Sequence, residues 1–181
     1  HPENDCGIEW QEKTAGLLHR FDQWGWRGLQ YVTSKSYTLE CNWKVFVDNY
    51  LDGGYHVTHV HPGLTGQLDI ASYNSTLGEQ WSMQSCAAAS SLGIDSSADF
   101  AQRVGQHADY AWIYPNFMVN RYGPWMDTNT VIPLSLDRCL VVFDYYHEGA
   151  PETSFLEQSL IASDQVQHED IEICHRVQAG L

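Results

Sequence analysis

The sequence predicts an α+β domain, and three features of it lead there. Short segments rich in Val, Ile, Tyr, Phe and Trp recur between Leu29 and Tyr146, separated by turn residues, as strands do. Glu152 to Ala179 then runs with few breakers and spaces Phe155, Leu156, Leu160, Ile161, Val166, Ile171, Ile173 and Val177 as a long helix would. Between the first strands and the rest, Asn42 to Leu64 sets Asp48, Asn49, Asp52, His56, His59 and His61 among Trp, Tyr, Phe, Val and Leu. Polar side chains in such surroundings point to a buried site rather than a solvated face.

In chain order, residues 1 to 20 mix polar residues with Trp10, Leu17 and Leu18 and predict an opening loop and a short helix. Residues 26 to 47 alternate best at Tyr37–Cys41, which predicts strands with Ser34-Lys35-Ser36 as a turn. A helix is expected from Trp43 to His56, weakened in its middle by Gly53-Gly54. Tyr73–Thr76 and Trp81–Gln84 are short strand candidates, and residues 87 to 100, rich in Ala, Ser, Gly and Asp, predict a mobile surface loop. Tyr110–Tyr114 and Phe117–Tyr122 are strands around a Pro115-Asn116 break. Asn129–Leu134 and Cys139–Tyr146 are strands joined by a turn at Leu136-Asp137-Arg138. No repeat or linker divides the chain, so residues 1–181 are expected to form one domain.

The chain has 23 acidic and 9 basic residues, a net charge of −14. That argues against nucleic acid and anionic membranes as partners and permits a cationic one. No apolar run is long enough to span a bilayer. Five scattered cysteines with no close pair predict reduced thiols, buried as small hydrophobes in a soluble intracellular protein. The chain opens at His1 with neither Met nor a charged and apolar leader, the expectation being a trimmed piece whose targeting segment is gone.

Imidazole and carboxylate together suit iron, zinc or copper, and two His with one carboxylate suit non-haem Fe(II). On a regular helix Asn49, Asp52 and His56 share one face, whereas His61 points away from it, so the helix must end or bulge near His56 if both histidines are to reach one ion. Pro62-Gly63 stops whatever follows His61. His56 with His59 is the competing pair, and spacing alone does not choose between them. Asp164, Glu169 and Asp170 are all candidate carboxylates, and Asp170 shares a helix face with Val166, Ile173 and Val177. His147, His168 and His175 are expected to be exposed, and His107 with Asp109 to form a local polar pair.

The run Asn49-Tyr50-Leu51-Asp52-Gly53-Gly54-Tyr55-His56-Val57-Thr58-His59-Val60-His61 resembles the mononuclear-iron motif of the Rieske-type non-haem iron oxygenases, in which two histidines are separated by four residues. Ile113 to Asn129 and Ser163 to Cys174 resemble the same family, in the same order. The resemblance implies a catalytic domain of the helix-grip type, a curved antiparallel sheet with helices packed over it. It implies His56, His61 and Asp170 as Fe(II) ligands and Asp52 as a link between iron and a [2Fe–2S] Rieske cluster. Most members place that carboxylate three residues before the first His; here Gly53 stands there and Asp52 is four before. Asn49 would lie just outside the ligands.

The cluster needs Cys-x-His and Cys-x-x-His, neither of which occurs here, so the resemblance implies a separate N-terminal Rieske domain. It further implies O2-dependent hydroxylation of a small quaternary ammonium substrate such as choline, with electrons from ferredoxin or a reductase. A homotrimer is implied, and the chloroplast stroma if the source is a plant or alga, otherwise the cytoplasm. Such a cation is held by aromatic faces, for which Tyr114, Phe117, Tyr122, Trp125 and Tyr145 are the candidates. The rivals are another Rieske reaction (N-demethylation or ring hydroxylation), an iron-free ligand-binding module of the same fold, and a hydrolytic zinc site on His56, His59 and His61.

Overall fold

The computed structural model describes residues 6–61, 64, 66–89 and 105–181. Helix α1 (Cys6–Gln23) leads through a short turn into strand β1 (Leu29–Leu39). Two short helices follow, α2 (Trp43–Leu51) and α3 (Gly54–Val60). Then come β2 (Leu68–Leu77), β3 (Trp81–Ala88), β4 (His107–Ile113), β5 (Phe117–Tyr122), β6 (Trp125–Pro133), β7 (Cys139–Glu148) and the long helix α4 (Thr153–Gly180). The seven strands of the described residues form one open antiparallel sheet in the order β1-β7-β6-β5-β4-β3-β2, the expected α+β class.

Period-two alternation builds the layers. In β7, Cys139, Val141, Phe143, Tyr145 and His147 are all buried on one face. That face packs with Val45, Phe46, Val47, Val57 and Cys174 of α2, α3 and α4. A second cluster, made by Leu17, Met83, Ala111, Ile113, Val119 and Met126, seats α1 with Phe21, Trp24, Trp81 and Phe117 around it. The sheet is therefore covered by helix on both faces. Among the described residues no helix is long and apolar enough to cross a membrane.

Several expectations need correction. Residues 29 to 39 form one unbroken strand: Ser34, Lys35 and Ser36 pair with Asp144, Phe143 and Val142 of β7, and the irregularity falls instead between Tyr31 and Thr33. The helix expected over 43–56 is two helices. Asn42 caps α2, its side chain accepting from the Lys44 N–H at 3.0 Å. Gly53, at φ 70° and ψ −138°, then breaks the run before α3. His147 is buried, edge-on to Trp125 with ring centroids 4.8 Å apart, because it lies on the inward face of β7. His175 is half-buried, its Nε2 accepting from the Glu40 N–H at 3.0 Å, while His168 is exposed. His107 does reach Asp109, but that buried carboxylate also accepts from Arg20, Trp24 and Ser85 and so ties α1 to the sheet. Most of the loop expected over 87–100 lies outside the described residues.

Candidate metal centre and its cavity

The break at Gly53 and the end of α3 at Val60 decide where the histidines go. His56 is on α3, whereas His61 is the first residue beyond it, at φ −114° and ψ 77°, so its ring can turn back towards the same point. α4 supplies Asp170 from the other side. His56 Nε2 and His61 Nε2 are 2.9 Å apart, and Asp170 Oδ1 is 3.0 Å from the first and 3.2 Å from the second. Among the described residues this is the one group of three His, Cys, Asp or Glu side chains placed to share an ion.

Three ligands at about 2.1 Å from a common ion stand about 3.0 Å apart on an octahedral face and about 3.4 Å apart in a tetrahedron. The triangle of 2.9, 3.0 and 3.2 Å is of the size that such a set of ligands requires. Its chemistry also suits a cation. His61 Nδ1 donates to Glu169 Oε2 at 2.7 Å, which in the neutral ring leaves Nε2 as a bare lone pair facing the carboxylate. Burial by itself lowers the pKa of His61, but the hydrogen bonds and charges of Asp170 and Glu169 outweigh it and hold the ring above its ordinary value. Burial by itself raises Asp170, and the imidazoles of His56 and His61 instead hold it below the ordinary carboxylate value. The same field attracts a metal ion.

Around the triangle, Asn49 Nδ2 donates to Asp170 Oδ1 at 2.8 Å, and Gln165 Nε2 to Glu169 Oε1 at 3.1 Å. Glu169 is thus the partner of His61, a role that its place on the outer face of the helix, beside Glu172 and Arg176, did not signal. His59 lies outside the group: exposed, its ring stacks on Tyr55 at 4.1 Å and its Nδ1 is 2.8 Å from the Tyr55 carbonyl. Asp52 is exposed at the end of α2, and no hydrogen bond joins it to His56.

A cavity of about 140 Å³ adjoins the triangle. Phe46, Tyr50, Tyr73, Tyr110, Tyr122 and Phe143 supply aromatic surface to it. Of the five aromatics expected there, Tyr122 alone is in its wall. Tyr114 is exposed in the β4–β5 turn, and Phe117 faces the α1 side. Trp125 and Tyr145 are core residues behind the wall, Tyr145 with its hydroxyl 2.9 Å from Ser163. The wall also holds a carboxylate that the sequence did not single out. Asp127, 2% exposed, accepts from Tyr122 at 2.6 Å, Asn120 at 2.7 Å and Asn129 at 3.0 Å. All three of these partners are neutral hydroxyl or amide groups.

Residues 26–181 match the ring hydroxylating alpha subunit (catalytic domain) family. The chain belongs to this family. It is 50% identical over 155 residues to the chloroplastic choline monooxygenase of Arabidopsis thaliana, covering 84% of this chain and 36% of that protein. It is 40% identical over 183 residues to that of Amaranthus tricolor, covering 98% and 39%. The carnitine monooxygenase oxygenase subunit of Escherichia coli K12 is 30% identical over 149 residues, covering 77% and 37%. The chain therefore spans less than two fifths of the length of these relatives. Among solved structures, the quaternary ammonium Rieske monooxygenase CntA superposes with a TM-score of 0.80 at 23% identity, over 94% of this chain and 45% of that one, which is a likeness of fold.

Proposed function

We propose that this domain carries the iron of an O2-dependent monooxygenase that hydroxylates a small quaternary ammonium compound, choline foremost, to betaine aldehyde hydrate. The observation behind this reading is the His56–His61–Asp170 triangle opening on a small aromatic cavity with a buried carboxylate in its wall. His56, His61 and Asp170 are assigned as the ligands, and Fe(II) held by them with open positions would supply O2 activation. Glu169 keeps the proton on His61 Nδ1 and so presents Nε2, while Asn49 fixes the ligand oxygen of Asp170. A quaternary nitrogen has no N–H to donate, and the aromatic faces of the cavity suit it. The Asp127 carboxylate would pair its charge with that of the bound cation. The volume of about 140 Å³ is close to the roughly 150 Å³ cavity that takes benzene, so the cavity suits a small ligand. The names of the choline and carnitine relatives support the same substrate class.

In the overall reaction, choline, O2, two electrons and two protons give the hydrated aldehyde and water. Electrons would come from ferredoxin or a reductase, through a Rieske [2Fe–2S] cluster in a part of the full-length protein outside this sequence. Asp52, exposed near His56, is the proposed relay to that cluster on a neighbouring subunit of a homotrimer. The chloroplastic relatives point to a stromal location if the source is a plant or alga. The test is the full-length protein with iron, O2 and reduced ferredoxin. Betaine aldehyde from choline is expected, and Asp52→Asn should keep iron but turn over slowly. Formaldehyde with a demethylated amine would assign the alternative N-demethylation, and no product from choline would contradict the substrate assignment.

A further inference from the structure

Among the described residues, one buried side-chain polar group of the cavity wall has no partner. Gln167 is 2% exposed on α4, lines the cavity, and its Nε2 has no hydrogen-bond partner. The other amides of the wall are committed. Asn49 donates to Asp170, Gln84 to the Tyr50 carbonyl, and Asn120 and Asn129 to Asp127. A buried N–H without an acceptor is costly, and Leu or Met would fill the same space without that cost. Native proteins keep such a group where a ligand or a water molecule supplies the missing acceptor.

We propose that Gln167 Nε2 donates a hydrogen bond to the oxygen of the substrate and selects oxygen-bearing cations over plain tetraalkylammonium ions. The proposal rests on the substrate class put forward above and adds the group that orients it. Gln167 precedes Asp170 by three residues, which places the two side chains next to each other on one helix face. An oxygen held by Gln167 therefore lies beside the ligand triangle. Asp127 belongs to β6 in the sheet wall opposite. A cation held on the Asp127 side with its hydroxyl on Gln167 would turn its carbinol carbon, rather than an N-methyl group, towards the triangle. Gln167 is in this sense a positioning residue.

The test compares choline with tetramethylammonium, which has the cation and lacks the oxygen, by anaerobic calorimetry on the iron-loaded full-length protein. In Gln167→Leu, choline should bind roughly tenfold more weakly and tetramethylammonium within about twofold of wild type. Turnover should show a raised KM for choline and a larger share of N-demethylated product. Tetramethylammonium binding reports whether the variant keeps its cavity, and Gln167→Met, of nearly the same length, serves if Gln167→Leu does not fold. Equal weakening of both cations would assign the amide to wall packing or to a water and overturn the proposal, as would unchanged choline affinity. A wild-type protein that binds neither cation would overturn the substrate class itself, and this inference with it.

Discussion

Glu169→Gln isolates what a carboxylate behind His61 contributes to metal affinity. Glu169 Oε2 is 2.7 Å from His61 Nδ1, and the Glu169 side chain is 25% exposed. A hydrogen bond to a charged acceptor is worth about 1.5–3 kcal/mol and a neutral one about 0.5–1.5 kcal/mol. The difference is about 1–1.5 kcal/mol, and partial exposure favours the lower end. The Gln carbonyl can still accept from Nδ1–H, so the ring keeps its tautomer and loses only basicity. Fe(II) affinity should therefore fall roughly five- to tenfold with stoichiometry unchanged. Glu169→Ala removes the acceptor as well and should cost about tenfold to a hundredfold. Anaerobic Fe(II) titration against a competing chelator measures both. Wild-type affinity in both variants would refute the role given to Glu169.

Other perturbations follow from the same geometry. Asp127→Asn removes a charge which, at an effective dielectric near 20 and a separation of about 6 Å, is worth about 2–3 kcal/mol to a bound cation. Tetramethylammonium should bind at least roughly tenfold more weakly by calorimetry, and unchanged binding would rule out a cation site at Asp127. Gly53→Ala places a Cβ 2.8 Å from Gln84 Oε1 at a φ of 70°. Denaturant unfolding should show a loss of about 1–3 kcal/mol, and a neutral result would mean that the break before α3 needs no glycine. Tyr37 donates to Asp164 at 2.6 Å, and that bond, ahead of the opposing effect of burial and the help of Lys35, holds Asp164 below its ordinary pKa. A depressed carboxylate stabilises the fold above its unfolded pKa and loses that contribution as pH falls through the folded one. With Asp164 39% exposed, Tyr37→Phe should cost only about 0.5–1 kcal/mol at neutral pH. That difference should vanish in acid below the carboxylate range; a difference that persists there would assign the loss to packing.

The strands were legible because β-branched and aromatic residues gather in short runs bounded by turn residues, as at Cys139–Tyr146. Ser34-Lys35-Ser36 misled because hydroxyl-rich triplets favour turns, and only the pairing with β7 overrides that preference. The aromatics of the cavity were not legible for a physical reason. The sheet is covered on both faces, so an aromatic residue in a strand can serve either side, and Tyr122 and Phe117 of β5 fall in opposite clusters. His147 misled in the same way, its polar neighbours in sequence hiding an inward position on β7. His56, His61 and Asp170 could be singled out, but the choice of His61 over His59 and of Asp170 over Glu169 drew on family resemblance. Geometry then separates the two acids, since Asp170 faces both Nε2 atoms and Glu169 the outer nitrogen of His61. Asp127 and Gln167 carried no signal of their own, because a lone Asp in a strand and a lone Gln in a helix are common. Burial and hydrogen bonding distinguish them, and neither can be read without the fold.

The most direct test of the metal assignment is iron stoichiometry in alanine variants of the full-length protein, loaded anaerobically with Fe(II). His56→Ala, His61→Ala and Asp170→Ala should each lose stoichiometric iron while His59→Ala keeps it. Loss of iron in His59→Ala together with retention in His61→Ala would contradict the triangle and move the centre to the outer face of α3.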